Sequence, residues 1–215
     1  MEKETDVVIV GTGAAGLFCA LQLPESKEIT VITKDEARNS DSFLAQGGIC
    51  VLRSEDDYDR YFEDTMKAGH YRNNEKSVEM MIRSSGEIIE LLLGYGVEFE
   101  RRNGELAYTR EGGHSQPRIL FHEDATGKEI TGRLLEEARK RRNITIYEHT
   151  EMIDILCKDN VCYGVVTADS RGIVRPVWAG QRLLPEPILK SGICGPASPN
   201  TASSDVSGQN SHPEA

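Results

Sequence analysis

The chain has 215 residues, which suits one large domain or a domain with an appendage. Its 25 Lys and Arg residues against 35 Asp and Glu residues give a net charge of −10, which argues against a nucleic-acid binder and against an anionic membrane surface as partner. No apolar run approaches the roughly 20 residues of a membrane span. Because no secretory signal is visible and the five cysteines have no CxxC spacing, we expect a cytoplasmic protein with reduced thiols and no metal site.

The first 35 residues predict a βαβ unit. Residues 6–10 are an apolar, β-branched run, expected to be a strand buried on both faces, and residues 28–33 are a second strand. Between them, residues 17–23 have a helical pattern that Pro24 ends. A connection of this kind makes the two strands parallel. The predicted fold class is therefore α/β, with a Rossmann-like domain on a parallel sheet.

Helical and extended patterns alternate up to residue 178. Helical spacing is found in three segments, 55–69, 75–94 and 126–142. Extended patterns predict a hairpin at 97–109 that turns at Asn103-Gly104, and then short strands at 144–148, 152–157, 161–168 and 173–178. Turn-like residues at 158–160 and 169–172 separate the last three strands, as in a β-meander. The acids Asp56, Asp57, Glu63 and Asp64 belong to the first helical segment, where we expect a solvated helix face.

Gly11, Gly13 and Gly16 form a GxGxxG string between the first strand and the first helix, the context that gives this motif its meaning. The first glycine permits a tight turn, the second lets the backbone approach a pyrophosphate, and the third lets helix and strand pack closely. The alternative is a glycine-rich connection without a ligand. The acid that would bind a nicotinamide ribose is displaced to Asp35, beyond Thr33-Lys34, which disfavours a plain nicotinamide site.

Four segments of the chain resemble one enzyme family. They are Asp6 to Leu17, Asn39 to Ile49 with its Ala45-Gln46-Gly47-Gly48, the sequence Thr-Arg-Glu-Gly-Gly-His-Ser at 109–115, and Arg118 to Gly127. The resemblance is to the L-aspartate oxidase branch of the succinate dehydrogenase and fumarate reductase flavoprotein family, and it covers roughly residues 5–178. It implies a Rossmann-like FAD-binding domain, incomplete, with the start of a capping domain.

The resemblance implies non-covalent FAD and the oxidation of L-aspartate to iminoaspartate, the first step of de novo NAD biosynthesis. Dioxygen or fumarate would be the electron acceptor, and quinolinate synthase the next enzyme. The residues assigned to FAD are Gly11, Thr12, Gly13, Ala14, Ala15, Gly16, Lys34, Asp41, Ser42, Phe43, Leu44, Ala45, Gln46, Gly47 and Gly48. Asp41 stands where the respiratory members carry the histidine that bonds covalently to the flavin. For Lys34, the alternative is a solvated loop lysine.

Glu111 is the residue that we assign to the substrate. Aspartate differs from succinate by an ammonium group, which needs an acceptor or a negative charge nearby. The respiratory relatives have an uncharged residue at the matching place. The alternative is a surface carboxylate paired with Arg110. We expect His114 and His122 to orient their loops through hydrogen bonds rather than to touch substrate or flavin.

The family pattern is lost after residue 178. Residues 179–215 are rich in Pro, Ser and Gly, and we expect them to be disordered, whereas residues 1–178 are expected to be the partial FAD-binding domain with the start of the capping region. A truncated or frame-shifted reading frame would explain the loss, and such a chain would have little oxidase activity by itself. Two alternatives stay open: another soluble flavoprotein of the fumarate reductase family, and a non-catalytic FAD-binding fragment.

Overall fold

The computed structural model describes residues 3–159 and 161–180. Within these residues the strands form a parallel sheet of three strands, a sheet of four strands and two ribbons of two strands. Helices follow the first two strands of the parallel sheet in sequence, as expected of βαβ connections. The predicted α/β class is confirmed.

The parallel sheet consists of β2 (Val7–Val10), β3 (Ile29–Ile32) and β8 (Ile144–Tyr147), in the order β2-β3-β8. Parallel pairing of the first two strands confirms the prediction. Every residue of β3 is buried. The prediction that the first strand is buried on both faces is wrong, because the first three residues of β2 are only half-buried and Val10, at its end, is 51% exposed.

Two helices pack against each other over the parallel sheet, α1 (Ala14–Gln22) and α5 (Thr126–Lys140). Helix α1 begins three residues earlier than the apolar spacing predicts and ends before Pro24, as expected. Their apolar faces share one core with the sheet, and its fully buried members include Leu17, Ala20, Val31, Leu134 and Leu135. Each fully buried leucine contributes roughly 1.5–3 kcal/mol to stability.

The segment predicted as one helix over 55–69 has two parts. A single 3₁₀ turn, Glu55–Asp57, precedes helix α3 (Tyr58–Ala68). Helix α3 buries Tyr61 and Met66 in a small second core that it shares with the next helix. That second core fixes the orientation of α3, whose acidic residues matter below.

Helix α4 (Glu75–Gly94) has the predicted length because a capping residue precedes its first turn and a left-handed glycine follows its last turn. At the start, the Asn74 side chain accepts a hydrogen bond from the Ser77 amide at 3.0 Å. At the end, Gly96 adopts φ +82°, and the amide of Val97 reaches back to the Leu92 oxygen at 3.0 Å. This left-handed turn satisfies carbonyls of the last helical turn. In the described part of the chain, no helix is both long and apolar enough to span a membrane.

Short elements connect the larger ones. The predicted hairpin is confirmed as β5 (Arg101–Arg102) and β6 (Glu105–Leu106). The segment after β3 contains a single helical turn, α2 (Asp41–Leu44). It is followed by β4 (Ile49–Cys50), which pairs antiparallel with β7 (Ile119–Leu120).

The predicted meander is confirmed as β9 (Thr150–Lys158), β10 (Val161–Asp169) and β11 (Val174–Ala179), paired antiparallel. A further strand, β1 (Lys3–Thr5), joins it parallel to β11 and was missed from the sequence. Three mostly polar residues carry no strand pattern, and their conformation comes from tertiary pairing. The predicted disorder of the C-terminal tail lies, from residue 181 on, outside the described residues and stays a prediction.

Helix α1 lies very close to the end of β2 at one glycine. A Cβ on Gly16 would lie 2.4 Å from the backbone oxygen of Gly11 and 3.3 Å from Cγ2 of Ile9. We therefore expect Gly16→Ala to destabilise the chain by about 1–3 kcal/mol, since the backbone of the turn cannot yield cheaply. Urea unfolding measures this free energy.

The matched control is Gly86→Ala in α4, where a new Cβ would meet nothing within 4 Å. Helix propensity alone predicts that this variant is stabilised by up to about 1 kcal/mol. Stabilisation of both variants would show that the α1–β2 approach is looser than described.

Candidate functional site

The first amides of α1, at the glycine turn after β2, have no side-chain cap within the described residues. The Gly11 amide donates to the Ile32 oxygen at 2.8 Å, and Gly11 has φ +100°, a conformation open to glycine. Gly13 is the N-cap of α1, with no side chain capping the amides. The helix dipole and these amides favour an anionic group at this end of the helix.

Thr12 supplies an independent sign of a polar ligand at the turn. Its side chain is 1% exposed, and Oγ1 has no hydrogen-bond partner within the described residues. A buried hydroxyl without a partner destabilises a fold by about 1–3 kcal/mol. A polar group bound in the turn would satisfy it, so the turn fits a pyrophosphate-bearing cofactor.

The segment 41–48 meets the glycine turn at one point. A Cβ on Gly13 would lie 3.0 Å from Oγ of Ser42, so the two predicted cofactor segments are neighbours. The segment also rests on the start of α5, where the Gly127 amide donates to the Ala45 oxygen at 3.0 Å. Gly127 is the last residue of the Arg118 to Gly127 segment that resembles the family, but the sequence alone gave it no role.

Two glycines, which have no side chain, allow this close packing. A Cβ on Gly127 would lie 2.1 Å from the Ser42 oxygen, and one on Gly48 would lie 2.3 Å from the Leu120 oxygen. Both obstacles are backbone atoms, which cannot rotate away. The 41–48 segment is thus fixed at both ends, while most of its residues stay exposed and available to a ligand.

Two predicted residues lie outside this pair of segments. Lys34 is exposed at the end of β3 and makes no hydrogen bond or ion pair within the described residues. Glu111 lies in the turn over residues 109–115 and is also exposed. The alternative partner of Glu111, Arg110, forms no ion pair with it in the part of the chain that the structure describes. The backbone oxygen of Glu111 accepts from the His114 amide at 3.3 Å.

The 109–115 turn contacts the strand that follows the 41–48 segment. His114 Nε2 lies 3.4 Å from Sγ of Cys50, in β4. Burial raises the pKa of the Cys50 thiol, a hydrogen bond with Tyr61 opposes the rise, and the charge of Glu111 adds to it. Glu111 is therefore within electrostatic reach of β4. The predicted hydrogen-bonding role of His114 agrees with this contact. The hydrogen bonds given for His122 within the described residues are made by its backbone: the amide donates to Oγ1 of Thr126 at 2.9 Å, and the oxygen accepts from the Ala125 amide at 3.0 Å.

A buried arginine lies beneath the turn. The Arg118 side chain is 0% exposed and forms a two-pronged pair with Asp57, at 2.7 Å from Nη2 to Oδ1 and 2.8 Å from Nε to Oδ2. Its Nη1 also donates to Oδ2 of Asp64 at 2.6 Å. The expected solvated face is wrong for both acids, whose side chains are 12% and 16% exposed. The available signal was an arginine directly before the apolar pair Ile119-Leu120.

The three charges stabilise one another. Burial opposes ionisation of Asp64, but the amide and hydroxyl of Ser115, each 2.7 Å from Oδ2, and the Arg118 guanidinium lower its pKa. The hydrogen bonds that Arg118 donates to Asp57 and to Asp64 raise its pKa against the effect of its burial. The cluster is therefore an ionised triad that holds Ser115.

Comparison with known proteins assigns the family. The sequence profile of the FAD-binding domain family matches residues 6–184. This chain belongs to the FAD-binding domain family. FAD is therefore the cofactor of this domain, and the glycine turn with its unsatisfied Thr12 hydroxyl fits it.

Similarity to L-aspartate oxidases confirms the predicted resemblance. The L-aspartate oxidase of Clostridium perfringens is 42% identical over 166 residues, which are 77% of this chain and 38% of that protein. The L-aspartate oxidase of Bacillus subtilis is 38% identical over 200 residues, 91% of this chain and 36% of that protein. The chain thus spans less than two fifths of the length of these relatives.

A solved structure agrees on the fold. A quinol fumarate reductase structure from E. coli superposes with a TM-score of 0.78 at 25% identity, covering 83% of this chain and 32% of that chain. The expected fold, an FAD-binding domain of the succinate dehydrogenase and fumarate reductase type, is confirmed. The assignment of individual residues to FAD stays a prediction.

The role of Thr12 can be separated from its burial. We expect Thr12→Val to stabilise the cofactor-free FAD-binding domain by about 1 kcal/mol, because it removes an unsatisfied hydroxyl, and to weaken FAD about five- to tenfold by loss of one hydrogen bond. Quenching of flavin fluorescence gives the Kd, and urea unfolding gives the stability.

Thr30, in β3, is the matched control because it is equally buried and its Oγ1 also has no partner within the described residues. Thr30→Val should stabilise the domain similarly and leave the FAD affinity unchanged. An equal effect of both variants on FAD would refute a specific role for Thr12.

Arg118 permits a test of the ionised triad. Arg118→Met leaves two largely buried carboxylates uncompensated, and we expect it to lower the free energy of unfolding by about 3–5 kcal/mol. Arg83→Met, which removes an exposed arginine paired with Glu55 and Glu79, should change stability by less than about 1 kcal/mol. Similar losses in both variants, measured by urea unfolding, would mean that the triad is solvated.

Proposed function

We propose that this chain provides the FAD-binding part and the substrate-amine loop of an L-aspartate oxidase, which converts L-aspartate to iminoaspartate. The observation that carries the proposal is the free carboxylate of Glu111. It is exposed, has no ion-pair partner within the described residues, and belongs to a turn that contacts β4 directly after the 41–48 segment.

The chemistry of the substrate explains why a free carboxylate matters. L-Aspartate carries an ammonium group on Cα, and a charged acceptor for that group provides a hydrogen bond worth about 1.5–3 kcal/mol. Asp57 and Asp64 are less suited, because both are largely buried and ion-paired with Arg118, and Ser115 donates twice to Oδ2 of Asp64. Glu111 is an exposed acid of the turn with no ion-pair partner within the described residues.

FAD, when bound, supplies the two-electron acceptor for the hydride that the amino acid loses from Cα. The chain's own residues would hold the cofactor in two places. We propose the turn Gly11–Gly16 for the pyrophosphate, and Asp41–Gly48 for the flavin, with Lys34 beside the end of β3. The proximity of Gly13 and Ser42 supports a continuous cofactor surface.

The wider context follows from the same proposal. Dioxygen or fumarate would reoxidise the flavin, and iminoaspartate would pass to quinolinate synthase in the first part of NAD biosynthesis, in the cytoplasm. Residues 1–178 would then be the FAD-binding domain with the start of the capping region. A second candidate, a flavoprotein acting on dicarboxylates without an amine, is favoured by the fold shared with quinol fumarate reductase.

Ligand binding by the FAD-loaded chain distinguishes the two candidates. Titration with L-aspartate and with succinate, followed by the flavin absorption spectrum, should show tighter binding of L-aspartate. Glu111→Gln should weaken L-aspartate about 10- to 100-fold, since it removes the charge that meets the ammonium, and should leave succinate unchanged or improved.

Glu105→Gln is the matched control, an exposed glutamate in the neighbouring hairpin, and should change neither affinity. Equal binding of the two ligands by the wild type, or an equal effect of Glu111→Gln on both, would contradict the amine-recognition role. Succinate preference in the wild type would favour the second candidate.

A further inference from the structure

The turn that carries Glu111 has two side-chain anchors, and both lead to the same ion pair. Ser115 donates its amide and its hydroxyl to Oδ2 of Asp64, each at 2.7 Å. The same oxygen accepts from Nη1 of Arg118 at 2.6 Å. One carboxylate oxygen therefore joins the end of the turn to a fully buried guanidinium.

The second anchor is His114. Its Nδ1 lies 3.2 Å from Nη1 of Arg118, and an arginine can only donate hydrogen bonds. Nδ1 therefore accepts, which leaves the ring hydrogen on Nε2, the atom that faces Sγ of Cys50 at 3.4 Å. Arg118 thus selects the tautomer with which His114 connects the turn to β4.

Aromatic packing restricts the same two side chains. The Tyr61 ring meets the His114 ring edge-on at 6.2 Å between centroids. The Arg118 guanidinium carbon lies 4.8 Å from the centroid of the same tyrosine ring. Because Tyr61 is itself buried in the core of α3 and α4, it leaves both groups little freedom.

Glu111 has no comparable anchor of its own. Its side chain makes no hydrogen bond or ion pair within the described residues, and its backbone oxygen accepts one long bond from His114. The direction of the carboxylate must come from the anchors three and four residues further on. A buried ion pair is rarely a source of net stability compared with an apolar core, so a geometric role for it is reasonable.

This inference rests on the proposed function: we propose that Arg118 and Asp64 are positioning residues for the 109–115 turn. They hold His114 and Ser115 so that the Glu111 carboxylate faces the substrate ammonium. Arg118 does not touch the substrate. Its effect on amino-acid recognition passes through the two anchored residues.

Asp64→Ala removes both hydrogen bonds that anchor Ser115 and one hydrogen bond of Arg118, while Asp57 still neutralises Arg118. We expect at least about tenfold faster hydrogen exchange of the Ser115 amide, and loss of the preference for L-aspartate over succinate in the FAD-loaded chain, with FAD affinity unchanged. Asp59→Ala is the control, an exposed acid on the same helix, and should change none of the three. Asp64→Asn, which keeps an acceptor oxygen, should restore part of the protection and of the preference.

A milder variant keeps the proposal testable if Asp64→Ala does not fold. Ser115→Ala deletes the hydroxyl bond only, and should reduce the preference for L-aspartate by a smaller factor. Nitrogen NMR of the wild-type imidazole should show His114 protonated at Nε2 and accepting at Nδ1. Protonation at Nδ1 would overturn the link between Arg118 and His114.

The outcomes separate this inference from the proposed function. If the wild type prefers L-aspartate and Asp64→Ala keeps that preference, the positioning role is wrong and the function of Glu111 stands. If the wild type shows no preference, the proposed function fails, and the role of Arg118 and Asp64 in substrate binding fails with it. Exchange at Ser115 then shows independently whether Asp64 fixes the turn, and unchanged exchange would overturn that part as well.

Discussion

The buried Arg118 guanidinium determines how the elements around the 109–115 turn are arranged. A charge with no solvent exposure must be compensated, and its compensation comes from Asp57 and Asp64, 61 and 54 residues away along the chain. Meeting that requirement brings the start of α3, the middle of α3 and the turn before β7 to one point. Since β7 pairs with β4, the same point is also connected to the end of the 41–48 segment. A substitution here would therefore affect several elements at once.

The glycine turn and the 41–48 segment depend on a different constraint, the absence of side chains at three glycines. Gly16, Gly48 and Gly127 each face a backbone oxygen at a distance that no Cβ could occupy. Such contacts place main-chain atoms of the turn and of the 41–48 segment where side chains would otherwise separate them. Backbone amides and the buried hydroxyl of Thr12 would then be polar groups available to a cofactor. Charges order one half of the site and small residues order the other.

Local patterns predicted most of the architecture, and tertiary contacts explain what they missed. Helix α4 was predicted at its observed bounds because Asn74 and Gly96 are local signals at its ends. The turn Gly11–Gly16 was found from its position between strand and helix. Strand β1 was missed because its conformation depends on β11, more than 160 residues later in the chain. Asp57 and Asp64 were mistaken for solvated acids because a sequence does not show which distant arginine will neutralise them.

The acids in and around the 109–115 turn differ in whether their charge is paired with an arginine, not in residue type. Asp57 and Asp64 are largely buried, both are ion-paired with Arg118, and Oδ2 of Asp64 also accepts two hydrogen bonds from Ser115, so these acids hold a loop rather than face a ligand. Glu111 lies four residues before Ser115, the anchor that those acids hold, yet has no ion-pair partner in the described part of the chain. A fixed turn that presents one uncompensated carboxylate is a suitable receptor for an ammonium group, because the loop does not have to be ordered when the ligand binds. Selectivity for an amino acid over the corresponding dicarboxylate would then arise from the contrast between the ion-paired carboxylates that hold the 109–115 turn and the free carboxylate that the turn carries.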